Sequence, residues 1–215
     1  CETTLSNNEV ADGYKDITDI SVTAKFELVD KPGTYVLAWT TTPWTLPGNV
    51  ALAVNGEAAY IKVKKGGEVY ILAKERLNEV MKDGEYEVME EFKGSDLVGR
   101  SYKPIFDYYT KNESLSNREH GWKIYIADFV TMDSGTGIVH IAPAFGEDDM
   151  ALGTRERLPF VQHVAMDGTM KPEARDFAGL SAKPKAKEKD GHQETDILII
   201  KHLAGSNALF SKEKI

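Results

Sequence analysis

The sequence predicts an α+β fold, a β-barrel or sandwich core decorated by short helices. Short segments that alternate apolar and polar residues recur along the chain, separated by Gly, Pro and Asn turns. Helical periodicity is confined to brief stretches near residues 73–82, 147–158 and 195–205. Hydrophobic residues make up 41% of the 215 and charged residues 28%, ordinary for one large domain with a core.

The first 20 residues are polar and aperiodic, with Val10, Tyr14 and Ile17 as candidate anchors. SVTAKFEL (21–28) alternates as a half-buried strand does, and TYVLAW (34–39) reads as a buried strand leading into three threonines. VALAV (50–54) is a strand closed by Asn55-Gly56, and 59–72 is a hairpin around Gly66-Gly67. Residues 73–82 fit a short helix with Leu77, Val80 and Met81 inward and Gly84 as its stop. EYEVMEEF (85–92) returns to period two, and 94–117 is loop-rich around Tyr108-Tyr109. WKIYIADFV (122–130) is a strand, SGTG (134–137) a tight turn and IVHIA (138–142) a strand. EDDMALGTRERL opens with the acidic residues that a helix N-terminus favours. PFVQHVAM (159–166) reads as one more strand, 181–192 as a flexible, solvated lysine-rich loop, and TDILIIKHLAG (195–205) as a helix ended by Gly205.

Composition excludes several classes. No stretch has the apolar length of a membrane-spanning helix, and no secretory signal is visible. Cys1 is the single cysteine, which rules out an internal disulfide and suits a reducing cytosol. The start at Cys1 is expected of a piece cut from a longer polypeptide. With 26 basic against 34 acidic side chains the net charge is −8, so phosphate contacts to any RNA must come largely from outside this chain.

No G-x-S-x-G elbow, phosphate loop or metal-binding spacing of the five histidines is present, which points away from metal or covalent chemistry. Two segments remain. Thr40, Thr41 and Thr42 follow a strand, and Pro43 drives Thr42 away from the helical region. Their stiff side chains would suit a small pocket with firm walls, or a strand end whose hydroxyls bond only backbone. Further on, period two places Ile138 and His140 on one strand face and Val139 on the other. His140 reads as a core histidine or a site residue. Asp148 and Asp149 read as complements of a helix dipole or as receptors for an amine. Spacing alone favours the plainer reading of each.

Together, WTTTPWTLPGNVALAV (39–54) and DSGTGIVHIAPAFGEDD (133–149) resemble the editing (CP1) domain inserted in isoleucyl-tRNA synthetase, a class I aminoacyl-tRNA synthetase. CETTLSNNEVADGY, LVGRSYKPIFDYY and DILIIKHLAGSNALFSKEKI resemble its leading, middle and closing segments, so the resemblance covers nearly all of 1–215 as a single domain. Valyl and leucyl relatives typically carry Thr-Thr-Arg-Pro where this chain has Thr41-Thr42-Pro43-Trp44, and the valyl type has lysine in place of His140.

The resemblance implies a β-barrel core and hydrolysis of valine from mischarged tRNA for isoleucine, and by extension of valyl-adenylate. Valine and isoleucine differ by one methylene, about 1–3 kcal/mol of binding, a discrimination for which isoleucyl-tRNA synthetase is itself the standard illustration. A rigid cavity sized for valine reverses that asymmetry, because overpacking costs about 1–3 kcal/mol. The implied catalytic residues are Thr41, Thr42 and Asp149, with hydroxyls near the ester and the water and Asp149 on the α-ammonium. The implied substrate-binding residues are Thr40, Trp44 and His140, the last as the wall that rejects isoleucine. Asp148 is assigned to the first helical turn. The implied partners are the tRNA 3′ end and the rest of the synthetase in cis, in the cytoplasm. No cofactor is implied here, ATP and any zinc belonging to the full-length enzyme. The alternatives are a valyl- or leucyl-type editing domain, a tRNA-end binding module inactive in isolation, or a peptide-docking surface presenting Trp39 and Trp44 on a flat face.

Overall fold

The computed structural model describes residues 20–183 and 194–215. The candidate anchors in the first segment and most of the lysine-rich loop lie outside the described residues. Six strands form one sheet in the order β6-β4-β5-β2-β1-β9 and three form a second in the order β7-β3-β8. The strands are β1 (Ile20–Glu27), β2 (Thr34–Thr40), β3 (Ala51–Val54), β4 (Ala59–Lys65), β5 (Glu68–Ala73), β6 (Glu87–Lys93), β7 (Lys123–Ile126), β8 (Ile138–Ile141) and β9 (Leu209–Lys214). Helices are few: the single turn α1 (Leu77–Val80), α2 (Glu147–Arg155) and α3 (Glu194–Gly205).

The α+β class holds, but the sheets are open rather than closed into a barrel. Closure of the larger sheet would pair β6 with β9, which stand at its opposite edges. Glu87, Glu90 and Glu91 on β6 and Lys212, Glu213 and Lys214 on β9 give both edges the charges that keep an open strand unpaired.

Strand alternation builds the layers. Val22, Ala24 and Phe26 of β1 and Val36 and Ala38 of β2 face a main core that also receives Leu52 and Val54 of β3 and Ile199 and Leu203 of α3. Leu37 points the other way, into a cluster with Ile61, Leu72 and Met81. The polar face of β1 is nonetheless covered: Lys25 is buried, bonding Glu68 at 2.8 Å and Asn207 at 2.9 Å beneath the Tyr35 ring. A third cluster joins Ala51 and Ala53 to Ile141 and to Leu152 of α2.

Three expectations are corrected. Residues 159–166 form no strand; Val164 makes one bridge to Met170. Their backbone groups close a tight turn instead, with Ala165 N–H on Thr169 O and Lys171 N–H on His163 O, each at 2.8 Å. Conversely, β9 follows α3 and pairs antiparallel with β1, where no strand was read. WKIYIADFV is also strand only over Lys123–Ile126.

Candidate functional site

Thr40 ends β2, and Pro43 begins a 3-10 turn over Pro43–Gly48. Between them Thr42 sits at φ −127°, ψ 71°, off the helical region as a residue before proline is. The hydroxyls bind one another and the chain. Thr40 Oγ1 accepts the Thr42 N–H at 3.1 Å and lies 3.2 Å from Thr42 Oγ1. Thr45 Oγ1 donates to Thr42 O at 2.8 Å. Backbone bonding and cavity lining are therefore both present in this run.

The turn is anchored from distant elements. Asp196, buried on α3, accepts the Trp44 N–H at 2.7 Å. His163 Nε2 meets Trp44 O at 2.8 Å, and the Phe145 ring stands edge-on to the indole with centroids 5.2 Å apart. Trp44 packs against the main core, behind the threonines. That is not the flat exposed face which a peptide-docking surface requires.

The opposite wall comes from the SGTG turn and β8. Thr136 Oγ1 donates to Leu37 O at 2.6 Å, and Thr136 O accepts the Ala73 N–H at 2.9 Å, so the turn is tied to both β2 and β5. Tyr60 donates its hydroxyl to Gly137 O at 2.8 Å, and Arg76 Nε donates to Gly135 O at 3.1 Å. Gly137 has φ +71°, and a Cβ there would lie 2.4 Å from Ala73 Cβ, so only glycine fits. His140 on β8, opposite Leu52 of β3, is 7% exposed and lies with Nε2 3.0 Å from Thr45 Oγ1. Burial, reinforced by His163, lowers its pKa to about 4, so the ring is neutral at physiological pH.

Asp149 lies in the first turn of α2 and accepts the Ala142 N–H at 2.8 Å through Oδ2. Burial raises its pKa against that bond, which lowers it; neighbouring Asp148 raises it further. Asp148 itself is exposed.

Thr40, Thr41, Thr42, His140 and Asp149 line one cavity of about 330 Å³. Trp44 does not line it. The cavity also takes Trp39, Phe129, Thr131 and residues 134–139, giving one carboxylate and no lysine or arginine. Phe129 falls in the segment read as the 122–130 strand, which in fact ends at Ile126, and Thr131 carries no sequence signal. Trp39 was signalled only by its place beside the threonines. A groove of about 670 Å³ shares Trp39, Ser134 and Gly135 with this cavity. Three of its four basic side chains are ion-paired, Lys25 with Glu68, Arg76 with Glu79 and Lys82 with Glu213, and the fourth, Lys65, donates to Asp83 O. Among the described residues no cluster of His, Cys, Asp or Glu is placed to hold a metal, and no helix is long and apolar enough to cross a membrane.

No family model matches the chain. Curated relatives do. The chain is 44% identical over 214 residues to isoleucine-tRNA ligase of Bacillus thuringiensis (strain Al Hakam), and 41% identical to that of Clostridium tetani (strain Massachusetts / E88). Each match covers 100% of this chain but 19% of the relative, so the chain spans about a fifth of their length. Among solved structures, that of GlLeuRS-CP1 superposes with a TM-score of 0.52 at 22% identity, covering 62% of this chain and 59% of the other. That likeness is one of fold.

Proposed function

We propose, on the premise that this chain belongs to the isoleucine-tRNA ligase family and is its CP1 domain, that it hydrolyses valine from mischarged tRNA for isoleucine. The observation that carries the proposal is the convergence of Thr40, Thr41, Thr42, His140 and Asp149 on one cavity whose lining holds no lysine or arginine. A half-buried carboxylate facing a cavity without a cation is suited to an incoming ammonium, and a charge-assisted bond there would fix the α-carbon of an aminoacyl ester.

In this reading water attacks the ester carbonyl, the acyl–oxygen bond breaks, and the terminal ribose hydroxyl of the tRNA departs with a proton. No strong base lines the cavity. His140 is neutral with a low pKa, and Nε2 is engaged by Thr45, which suits a wall rather than a proton acceptor. Catalysis therefore rests on position. Thr41 and Thr42 hold the water and the ester oxygen, with the RNA's own neighbouring hydroxyl available to assist. Thr40 orients Thr42 through the bonds described, and Trp44 braces the turn from behind.

Selectivity requires walls that do not yield. The SGTG turn is fixed by Thr136, Tyr60 and Arg76, and the threonine turn by Asp196 and His163, so added bulk meets anchored backbone. Valyl-adenylate, which presents the same aminoacyl group, is a second substrate in this reading. The rest of the ligase supplies most tRNA contacts in cis, and the site of action is the cytoplasm.

The test is release of amino acid from valyl- and isoleucyl-tRNA. Valyl ester should be cleaved much faster than isoleucyl, and Thr42→Ala and Asp149→Ala should each slow valine release. Equal cleavage of both esters, or full activity in both variants, overturns the proposal. The net charge of −8 favours one second reading, a module that binds the tRNA end and hydrolyses only within the whole ligase. Activity in the full-length enzyme and none in the 215-residue chain would select it.

A further inference from the structure

We propose that Thr45, which does not line the cavity, is the positioning residue that holds the imidazole of His140 in its Nε2–H tautomer and fixes the ring at the cavity wall. The role in selectivity rests on the editing reading above; the tautomer does not.

The argument is a count of protons. A threonine hydroxyl has one donor and two acceptor sites. Thr42 O, a carbonyl, can only accept, and it lies 2.8 Å from Thr45 Oγ1, so that bond consumes the hydroxyl proton. Toward His140 Nε2, 3.0 Å away, Thr45 then has only a lone pair to offer, and a lone pair is bonded by an N–H. The Thr42 hydroxyl, at 3.4 Å, faces what remains of Thr45's acceptor capacity. Thr45 is itself held, because its backbone N–H also donates to Thr42 O at 3.0 Å and the residue is 6% exposed.

The other ring atom agrees. His140 Nδ1 is buried and has no hydrogen-bond partner. A neutral imidazole carries one N–H, so with that proton on Nε2 the orphan is a bare acceptor, which burial penalises less often than a stranded N–H. The alternative tautomer would bury an unpaired donor and set two lone pairs against each other across 3.0 Å. Without the Thr45 hydroxyl, both the tautomer and the ring angle lose their restraint. A sieve that must refuse one methylene cannot tolerate such freedom in a wall.

The measurement is the ¹⁵N spectrum of the histidine rings at neutral pH, where protonated and bare ring nitrogens are widely separated. The unsubstituted 215-residue chain should show His140 protonated on Nε2. Protonation on Nδ1 overturns the proposal whatever any variant does. Thr45→Val, which keeps the shape and removes the hydroxyl, should give a mixture of tautomers, and Thr45→Ser should restore the single form. An unchanged His140 pattern in a folded Thr45→Val overturns the proposal. In the hydrolysis assay, the valyl-to-isoleucyl rate ratio should fall about fivefold or more in Thr45→Val, the scale of one lost hydrogen bond, and recover in Thr45→Ser. A chain that cleaves neither ester sinks the editing reading, while the spectra still decide the tautomer.

Discussion

Asp149 and His140 stand on neighbouring walls of one cavity and differ in what burial does to them. Burial works against the charged form of each, leaving Asp149 primed to gain from a cation and His140 neutral. Asp149→Asn should lower kcat/KM for a valyl ester about 10- to 100-fold, the range of one charge-assisted bond. The isovaleryl ester, which lacks the ammonium, should be cleaved equally by both proteins. Equal loss on both substrates would assign Asp149 to structure. The buried histidines make a second prediction. His140 and His163 both have pKa lowered to about 4, so between about 6.5 and about 4 the unfolded chain binds protons that the folded chain refuses. Stability should therefore fall as pH drops through that window, by up to about 1.4 kcal/mol per pH unit for each ring. Urea midpoints between pH 7.5 and 5 read it directly. Glu68, held at about 2 despite burial by Lys25, Tyr70 and Asn207, acts in a separate, more acidic window below about 4.5.

Among the elements, the SGTG turn and β8 carry the most consequence. Gly137→Ala would force a side chain onto φ +71° and to 2.4 Å from Ala73 Cβ, whereas Gly66→Ala, at φ +59°, meets nothing within 4 Å. We expect Gly137→Ala to cost about 2 kcal/mol or more and Gly66→Ala distinctly less, a difference of several degrees in Tm. Similar Tm values for the two would show that the turn is looser than described. The strands around this turn were legible because Ile138 and His140 repeat with the pleat and glycines mark its ends. The segment around His163 was not. PFVQHVAM has a strand's composition, but its backbone bonds are taken by its own turn and its histidine by Trp44. For β9 the failure ran the other way: LFSKEK is too polar to announce a strand, and only the free edge of β1 makes it one.

At the scale of the molecule, the sequence disclosed the α+β class and most strands, because period two and turn residues are local properties. It did not disclose sheet closure, which depends on where β6 and β9 end up, or the place of Trp44, which depends on α3. The threonines, His140 and Asp149 were legible as a site only together, since each alone has an ordinary structural use. Charge sets the last prediction. At −8, and with Lys65 the one basic side chain of the larger groove that has no carboxylate partner among the described residues, this chain alone should bind the tRNA acceptor end weakly, with a log–log salt slope of about −1. A titration at several salt concentrations measures it, and a steep slope would mean that this face carries its own phosphate track. The hydrogen bond from Trp44 to Asp196 joins residues 152 positions apart. A nascent chain halted at residue 193 would already contain every cavity-lining side chain, yet the carboxylate that ties down the threonine turn would still be unsynthesised. The threonine turn therefore gains its anchor only once the helix bearing Asp196 has been made and has docked, well after the strands that surround the cavity.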